Sequence, residues 1–326
     1  MHAVSDSPLG PFKAASIVMP YHDGPAGAGP GPAPWDRNAM NPKFLILEGA
    51  GAEAADLWGH TGDDIFPAAA AAIPSPSNDL FLIYYTGDTF NYSRPNASDP
   101  RPASSWIPQA TQRIGAAYST VGPDGPYRRL PAPVLAPAPA PAWDSRMLSN
   151  AAVTAMPDGR LLMVYKGSNP PGAFNKQTQV CLGVAIAKNW SQPFVRASAD
   201  PIIPCPTDTF NFEDPGIWYD RNTRVYHMIL KDNAGSVTHA GYSGAHAVST
   251  DGITWEFTDP PLAYLPHHIW SDGKTRAMHR QERPQILIDP KDGSPIAMFF
   301  ATDTDLEGKA EGLFWNMVWP LREGLV

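Results

Sequence analysis

Two short segments carry carboxylates in settings suited to acid–base chemistry. They are Phe212-Glu213-Asp214-Pro215-Gly216-Ile217-Trp218 and Glu282-Arg283-Pro284-Gln285-Ile286-Leu287. In the first a carboxylate stands directly before a proline and in the second one residue further back, each leading into an apolar run that reads as a strand. Two carboxylates in unlike surroundings can divide acid and base work when their neighbours push the two pKa values apart. A carboxylate beside a turn can equally cap backbone amides, so spacing alone leaves both roles open. Glu213 adjoins Asp214 and, in a strand, points to the other face. His279 and Arg280 precede Glu282 closely enough to bind a hydroxyl or a carboxylate, and His279 can also donate a proton. Trp218, Trp255, Trp270 and Trp315 offer aromatic faces, though most such rings serve as core.

These segments belong to a repeat with three parts. The first is an apolar strand opened by a small polar or proline step, at Asn41-Pro42, Asn150-Ala151, Asp214-Pro215 and Arg283-Pro284. The second is a β-rich run after a turn, at Asp79–Tyr85, Gly159–Tyr165, Val225–Leu230 and Pro295–Phe300. Turns such as Asp158-Gly159 and Asp292-Gly293 are hairpin connectors. The third is a strand leading to a Gly- or Pro-bearing turn and an aromatic, as in Ala117-Tyr118-Ser119 followed by Gly125-Pro126-Tyr127. Leu313–Trp319 fills this third slot in the last unit with a different sequence. Lys166 and Asp232 end second strands, with Lys231 beside Asp232.

Repeated meanders of this kind suit propeller blades. The expected fold is all-β, a five-bladed β-propeller in one domain over residues 1–326. Four blades span 36–140, 141–205, 206–264 and 265–326, and residues 1–35 hold a remnant of the first blade and a linker. That remnant, Ala3-Val4-Ser5 to Gly10-Pro11-Phe12, matches a third strand with no inner strands before it. The repeat therefore predicts an incomplete first blade and further N-terminal residues in the native product. Pro25–Pro34 and Pro131–Pro141 read as linkers, and residues 86–112 as a long polar insertion.

Composition narrows the classes further. A hydrophobic share of 43% supports a real core, while no apolar run approaches the ~20 residues that cross a bilayer as a helix. A net charge of −8 without a basic cluster argues against nucleic acid as a partner. With 37 prolines, a helical bundle is excluded. The two cysteines, Cys181 and Cys205, can pair or stay reduced. No zinc or EF-hand spacing, phosphate loop, Ser-His-Asp motif or dinucleotide fingerprint occurs, so no metal or cofactor is assigned. The first residues contain no signal-peptide pattern. A secreted protein is expected if a longer N-terminus exists, and a cytoplasmic one otherwise.

The Phe212–Trp218 and Glu282–Leu287 segments, in this order with the Gly-Pro-aromatic turns, resemble the arabinanase/levansucrase/invertase superfamily of five-bladed propeller glycosidases. The chain is similar over nearly its whole length to glycoside hydrolase family 43. The resemblance implies a monomeric hydrolase acting on O-glycosidic bonds of oligo- or polysaccharides. One aspartate serves as base, a second tunes pKa and orients substrate, and a glutamate is the acid. It implies that Asp214 is the tuning aspartate and Glu282 the acid. His279, Arg280, Arg283, Asn150, Asn41 and Trp218 are then the expected sugar-binding residues. The base has no counterpart: Asn41 occupies an inner-strand slot and cannot serve, and Asp36 lies outside the strand pattern. Some family members hold a calcium ion near the axis, where His239 and His246 are the nearest candidates. Two other readings stay open. One is a carbohydrate-binding protein that lacks the base. The other is a glycoside phosphorylase, which needs several cations, with Arg280, Arg283 and Lys166 in suitable slots.

Overall fold

The computed structural model describes residues 2–4, 13–16, 35–36, 38–51, 78–88, 112–168, 180–204, 212–270, 272–289, 291–303 and 314–321. Over these residues the regular elements are strands. The first sheet is β3 (Asn38–Leu47), β4 (Leu80–Asp88), β5 (Arg113–Ser119) and β6 (Arg128–Arg129). The second is β7 (Met147–Ala155), β8 (Leu161–Ser168), β9 (Val180–Ala187) and β10 (Val195–Arg196). The third is β11 (Phe212–Asp220), β12 (Val225–Asp232), β13 (Ser243–Ser249) and β14 (Glu256–Tyr264). The fourth is β17 (Arg280–Ile288), β18 (Pro295–Asp303) and β19 (Phe314–Pro320).

Each sheet is an antiparallel meander in chain order, and β3, β7, β11 and β17 neighbour one another from sheet to sheet. The four sheets are therefore blades of a β-propeller, with these four strands innermost. No two of the four share a sheet, as the repeat requires. A ribbon of β1 (His2–Val4) and β2 (Lys13–Ser16) pairs antiparallel at the N-terminal end, where the sequence shows a third-strand signature. A second ribbon, β15 (His267–Ile269) with β16 (Thr275–Ala277), stands between the third and fourth blades and was not expected from the repeat.

Burial explains why the second strands read as continuous apolar runs. Every residue of β4 is buried, and all but Lys166 in β8. A strand inside a blade is covered on both faces by neighbouring blades, so polar alternation disappears. One apolar cluster joins Leu82, Tyr84 and Ile114 of the first blade to Leu148, Leu161 and Met163 of the second. Another joins Leu162 and Val164 to Phe212, Met228 and Trp255 of the third. Trp255 is thus core, not a ligand platform. Pro131–Pro141 departs from the linker reading: Val134 and Leu135 are buried in the first cluster, and Leu135 bridges to Ile114 of β5. Pro25–Pro34 and residues 89–111 lie outside the described residues.

A clamp recurs in the first two blades. Trp35 stacks on Tyr85 and Trp143 on Tyr165, with ring centroids 6.2 and 6.0 Å apart. Tyr85 Oη donates to Asp36 (2.6 Å), and Tyr165 Oη to Asp144 (2.9 Å). Arg129 and Arg196, from the fourth strands, close on Asp36 and Asp144 at 2.9 and 2.7 Å. A Cβ added at Gly115 or Gly183 would come within 2.5 Å of the clamp tyrosine, so the third strand must offer a bare backbone there. Asp36, buried under Arg129 and Tyr85, is a structural carboxylate rather than a base in waiting. The sequence carries the signal as a repeated Trp-Asp pair before an inner strand, at 35–36 and 143–144. Cys181 is disulfide-bonded, and the other cysteine, Cys205, lies outside the described residues.

Candidate functional site

The polar-proline step does not open the inner strands. They begin two or three residues earlier, and the step is a β-bulge inside each. The register shifts between Met40 and Lys43, Ser149 and Ala152, Glu213 and Gly216, and Glu282 and Gln285. At each bulge one residue is left-handed: Asn41 (φ 51°), Asn150 (50°), Asp214 (55°) and Arg283 (57°). A bulge removes a ladder hydrogen bond, which is why proline is tolerated at 42, 215 and 284. It also re-aims side chains, and here it brings those of Asn41, Asn150 and Asp214 together.

These three side chains form a run of hydrogen bonds across blades. Asn41 Nδ2 donates to Asn150 Oδ1 (2.5 Å), and Asn150 Nδ2 donates to Asp214 Oδ1. The Asn150 amide is held from behind by Thr86 Oγ1 (3.1 Å), and the Arg283 backbone N–H donates to Asp214 Oδ2 (3.2 Å). Lys43 completes the circuit, its Nζ donating to the carbonyl of Pro284 (3.1 Å). The four blades are thus tied at their axis by polar groups with directional bonds.

Beside this ring lies a charged cluster. Lys231, 2% exposed, reaches Glu282 at 2.5 Å and Glu213 at 3.5 Å. Lys166 binds the other oxygen of Glu213, Oε2, at 3.0 Å, and Asn233 donates to Oε1 on the Lys231 side. Burial would raise the Glu213 pKa, but Lys166 and Lys231 outweigh it and hold the carboxyl at about 2. Burial, then Glu213, raise the pKa of Asp214 against the pull of Lys166, Arg283 and Lys231. Glu282, by contrast, is ion-paired to Lys231. The sequence reading placed no cation beside Glu282. Lys231 is decisive here, yet in sequence it is one lysine next to the loop-fixing Asp232, which accepts the N–H groups of Ser236, Val237 and Thr238.

The other expected residues divide between two places. His279 and Arg280 stand at the same end of β17, exposed, with Asp303 at 3.4 Å from His279 Nδ1 and 3.9 Å from Arg280 Nε. The β15–β16 ribbon emerges at this end too. It presents Ile269 and Trp270, with the Arg276 guanidinium 5.3 Å from the Trp270 ring, and His268 bonds Gln281 at 2.7 Å. Trp218 sits elsewhere. Four residues past Asp214, it stacks on His227 (4.9 Å) and faces His246 (6.2 Å), lining a cavity of ≈ 340 Å³ between the third and fourth blades. His246 belongs to that stack and not to the axis. Burial and His227 lower its pKa to about 4. Among the described residues no group of three or more His, Cys, Asp or Glu is arranged to hold a metal ion.

Blades with an ordered ring of inner-strand side chains invite comparison with known proteins. No family model and no curated protein sequence matches the chain. Solved structures do. BT0996, solved as a complex with RGII, superposes with a TM-score of 0.58 at 14% identity, over 95% of this protein and 75% of that one. A glycoside hydrolase gives 0.58 at 14%, over 94% and 74%. Zg3597, a family 117 glycoside hydrolase of the marine bacterium Zobellia galactanivorans, gives 0.55 at 12%, over 94% and 65%. The fold is that of propeller glycoside hydrolases. At such low identity the likeness speaks for the fold alone, and the chemistry must be argued from the side chains above.

One of those side chains carries its own test. Lys43 is 8% exposed, and burial lowers its pKa from 10.5 to about 8. The unfolded chain therefore binds more protons than the folded one between those two values, and stability must rise with pH across that window. The shift corresponds to about 3 kcal/mol. Comparing urea unfolding of the protein and of Lys43→Met near pH 8 and near pH 10.5 cancels the tyrosines they share. The native protein is expected to gain about 3 kcal/mol more than the variant. Equal slopes would show that the Lys43 amino group reaches water.

Proposed function

We propose that this chain is a glycoside hydrolase with its site at the inner-strand ring, on a propeller whose fifth blade includes the β1–β2 ribbon. The observation that carries it is the convergence of Glu213, Asp214 and Glu282, from two adjacent inner strands, on Lys231. Of the three, Glu282 keeps the most side chain in reach of solvent, 21%. It is the carboxylate a sugar can touch. Its place beside Lys231 suits activation of water. The proton for the leaving oxygen then falls to His279, whose Nδ1 faces Asp303 and whose Nε2 is left to donate. Asp214 positions rather than reacts: both of its oxygens are taken, by Asn150 and by the backbone of Arg283.

A second reading, a carbohydrate-binding protein without hydrolysis, is favoured by Asn41 and Asn150. These place carboxamides where the third blade has a carboxylate. The phosphorylase reading loses ground because Lys166 and Lys231 are taken up by Glu213 and Glu282.

The experiment is to incubate the protein with a panel of aryl glycosides and plant and algal oligosaccharides, following released phenol and reducing ends beside calorimetric binding. Turnover supports the hydrolase. Saturable binding without product over days would leave the binding protein. Neither turnover nor binding would remove carbohydrate from the account.

A further inference from the structure

The ring's fourth member does not fit the pattern of the other three. Asn and Asp take the left-handed conformation readily, because a short side chain can bond locally. Arg has no such advantage, and a long residue held there stores strain that packing elsewhere must offset. Arg283 nevertheless adopts φ 57° at the same bulge. Its backbone N–H serves Asp214, but its guanidinium, among the described residues, has no hydrogen bond or carboxylate partner, and the residue is exposed. Its charge acts on Asp214 and Lys43, opposing the rise of the first pKa and adding to the fall of the second.

The charges around it do not balance. Lys166 answers Glu213, and Lys231 answers Glu282. That leaves the single carboxyl of Asp214 facing two cations, Lys43 and Arg283. Lys43 is buried and spent on the Pro284 carbonyl. Arg283, tied to the ring through its backbone N–H, is thus an unanswered, solvent-facing fork of donors in a protein that carries −8 overall. A planar guanidinium is matched by an oxyanion that can accept two parallel N–H bonds.

We infer that the sugar bound at this ring is acidic, and that Arg283 holds the oxyanion it carries, a carboxylate or a sulfate. This rests on the carbohydrate reading above and names its substrate class. Arg280, exposed at the same end of β17 and 3.9 Å from Asp303, is the second cation that such a ligand meets.

Arg283→Asn is the fitting variant. Asn41 and Asn150 show that asparagine is accepted at this bulge with the same φ, so the fold is retained. The full chain is titrated calorimetrically with uronate-bearing oligosaccharides and their methyl esters, and with sulfated oligosaccharides and their desulfated forms. Inorganic phosphate serves as a separate ligand. The native protein is expected to prefer one charged series over its neutral counterpart by about 10–100-fold, the worth of a charge-assisted bond. In Arg283→Asn that ratio falls toward one, with the thermal midpoint retained. The series that shows the preference tells carboxylate from sulfate. Equal affinity for charged and neutral sugars, or a preference that survives in Arg283→Asn, overturns the inference while leaving the carbohydrate reading intact. Binding of phosphate but of no sugar overturns both.

Discussion

Glu282→Gln is expected to lower turnover of a glycoside by about 100- to 10,000-fold, the usual contribution of a positioned acid or base. The isosteric amide still accepts a hydrogen bond from Lys231, and Lys231 keeps Glu213 at 3.5 Å, so folding should survive. The comparison that assigns the role uses two leaving groups. A good aryl leaving group needs little protonation. If Glu282 activates water, as its ion pair with Lys231 suggests, aryl and alkyl glycosides lose rate alike. If it is the acid that the family resemblance implies, the aryl glycoside is largely spared. Azide supplied to Glu282→Ala offers a second measure, since a small anion can replace a missing base but not a missing acid. Unchanged turnover with both substrates would take Glu282 out of the site.

Asp36→Ala should cost about 3–5 kcal/mol, the range for breaking one side of a buried ion pair. Arg129 is 4% exposed in its side chain and Asp36 3%. Removing the carboxylate takes away Asp36 Oδ2, the acceptor that the Arg129 guanidinium and the Tyr85 hydroxyl now share. The thermal midpoint is expected to fall on the order of 10 °C. The double variant Asp36→Ala/Arg129→Met should recover part of the loss, because no lone charge remains buried. A fall below ~1 kcal/mol for the single change, the range of an exposed pair, would mean that the clamp is open to water. Such a result would also return Asp36 to consideration as a base.

How much of this is legible along the chain differs by kind of interaction. Blade order is legible because each blade is a local meander: neighbours in sequence are neighbours in the sheet, and hairpin residues such as Asp158-Gly159 mark the turns. Two of the fourth strands are not. β6 and β10 are two residues long, too short to leave a period in the side chains. The β15–β16 ribbon escapes for a different reason: it follows none of the repeated signatures.

The site shows the same division. Its inner-strand positions are visible as a polar-proline step, and these four positions do meet at one axis. The sequence could not reveal that the step is a bulge, because a bulge is a relation between two strands. Nor could it show that Lys231, beside the loop-anchoring Asp232, lies against Glu282 of the next blade, or that Lys43 crosses to Pro284, 241 residues away. Proton affinities follow from such distances and from burial. Only the assembled blades decide that burial and Glu213 raise the pKa of Asp214, that Glu282 is ion-paired, and that Arg283 is left without a carboxylate partner among the described residues. Local hydrogen bonding and apolar patterning are written along the chain, whereas charge pairing at the axis depends on which blades the fold brings together.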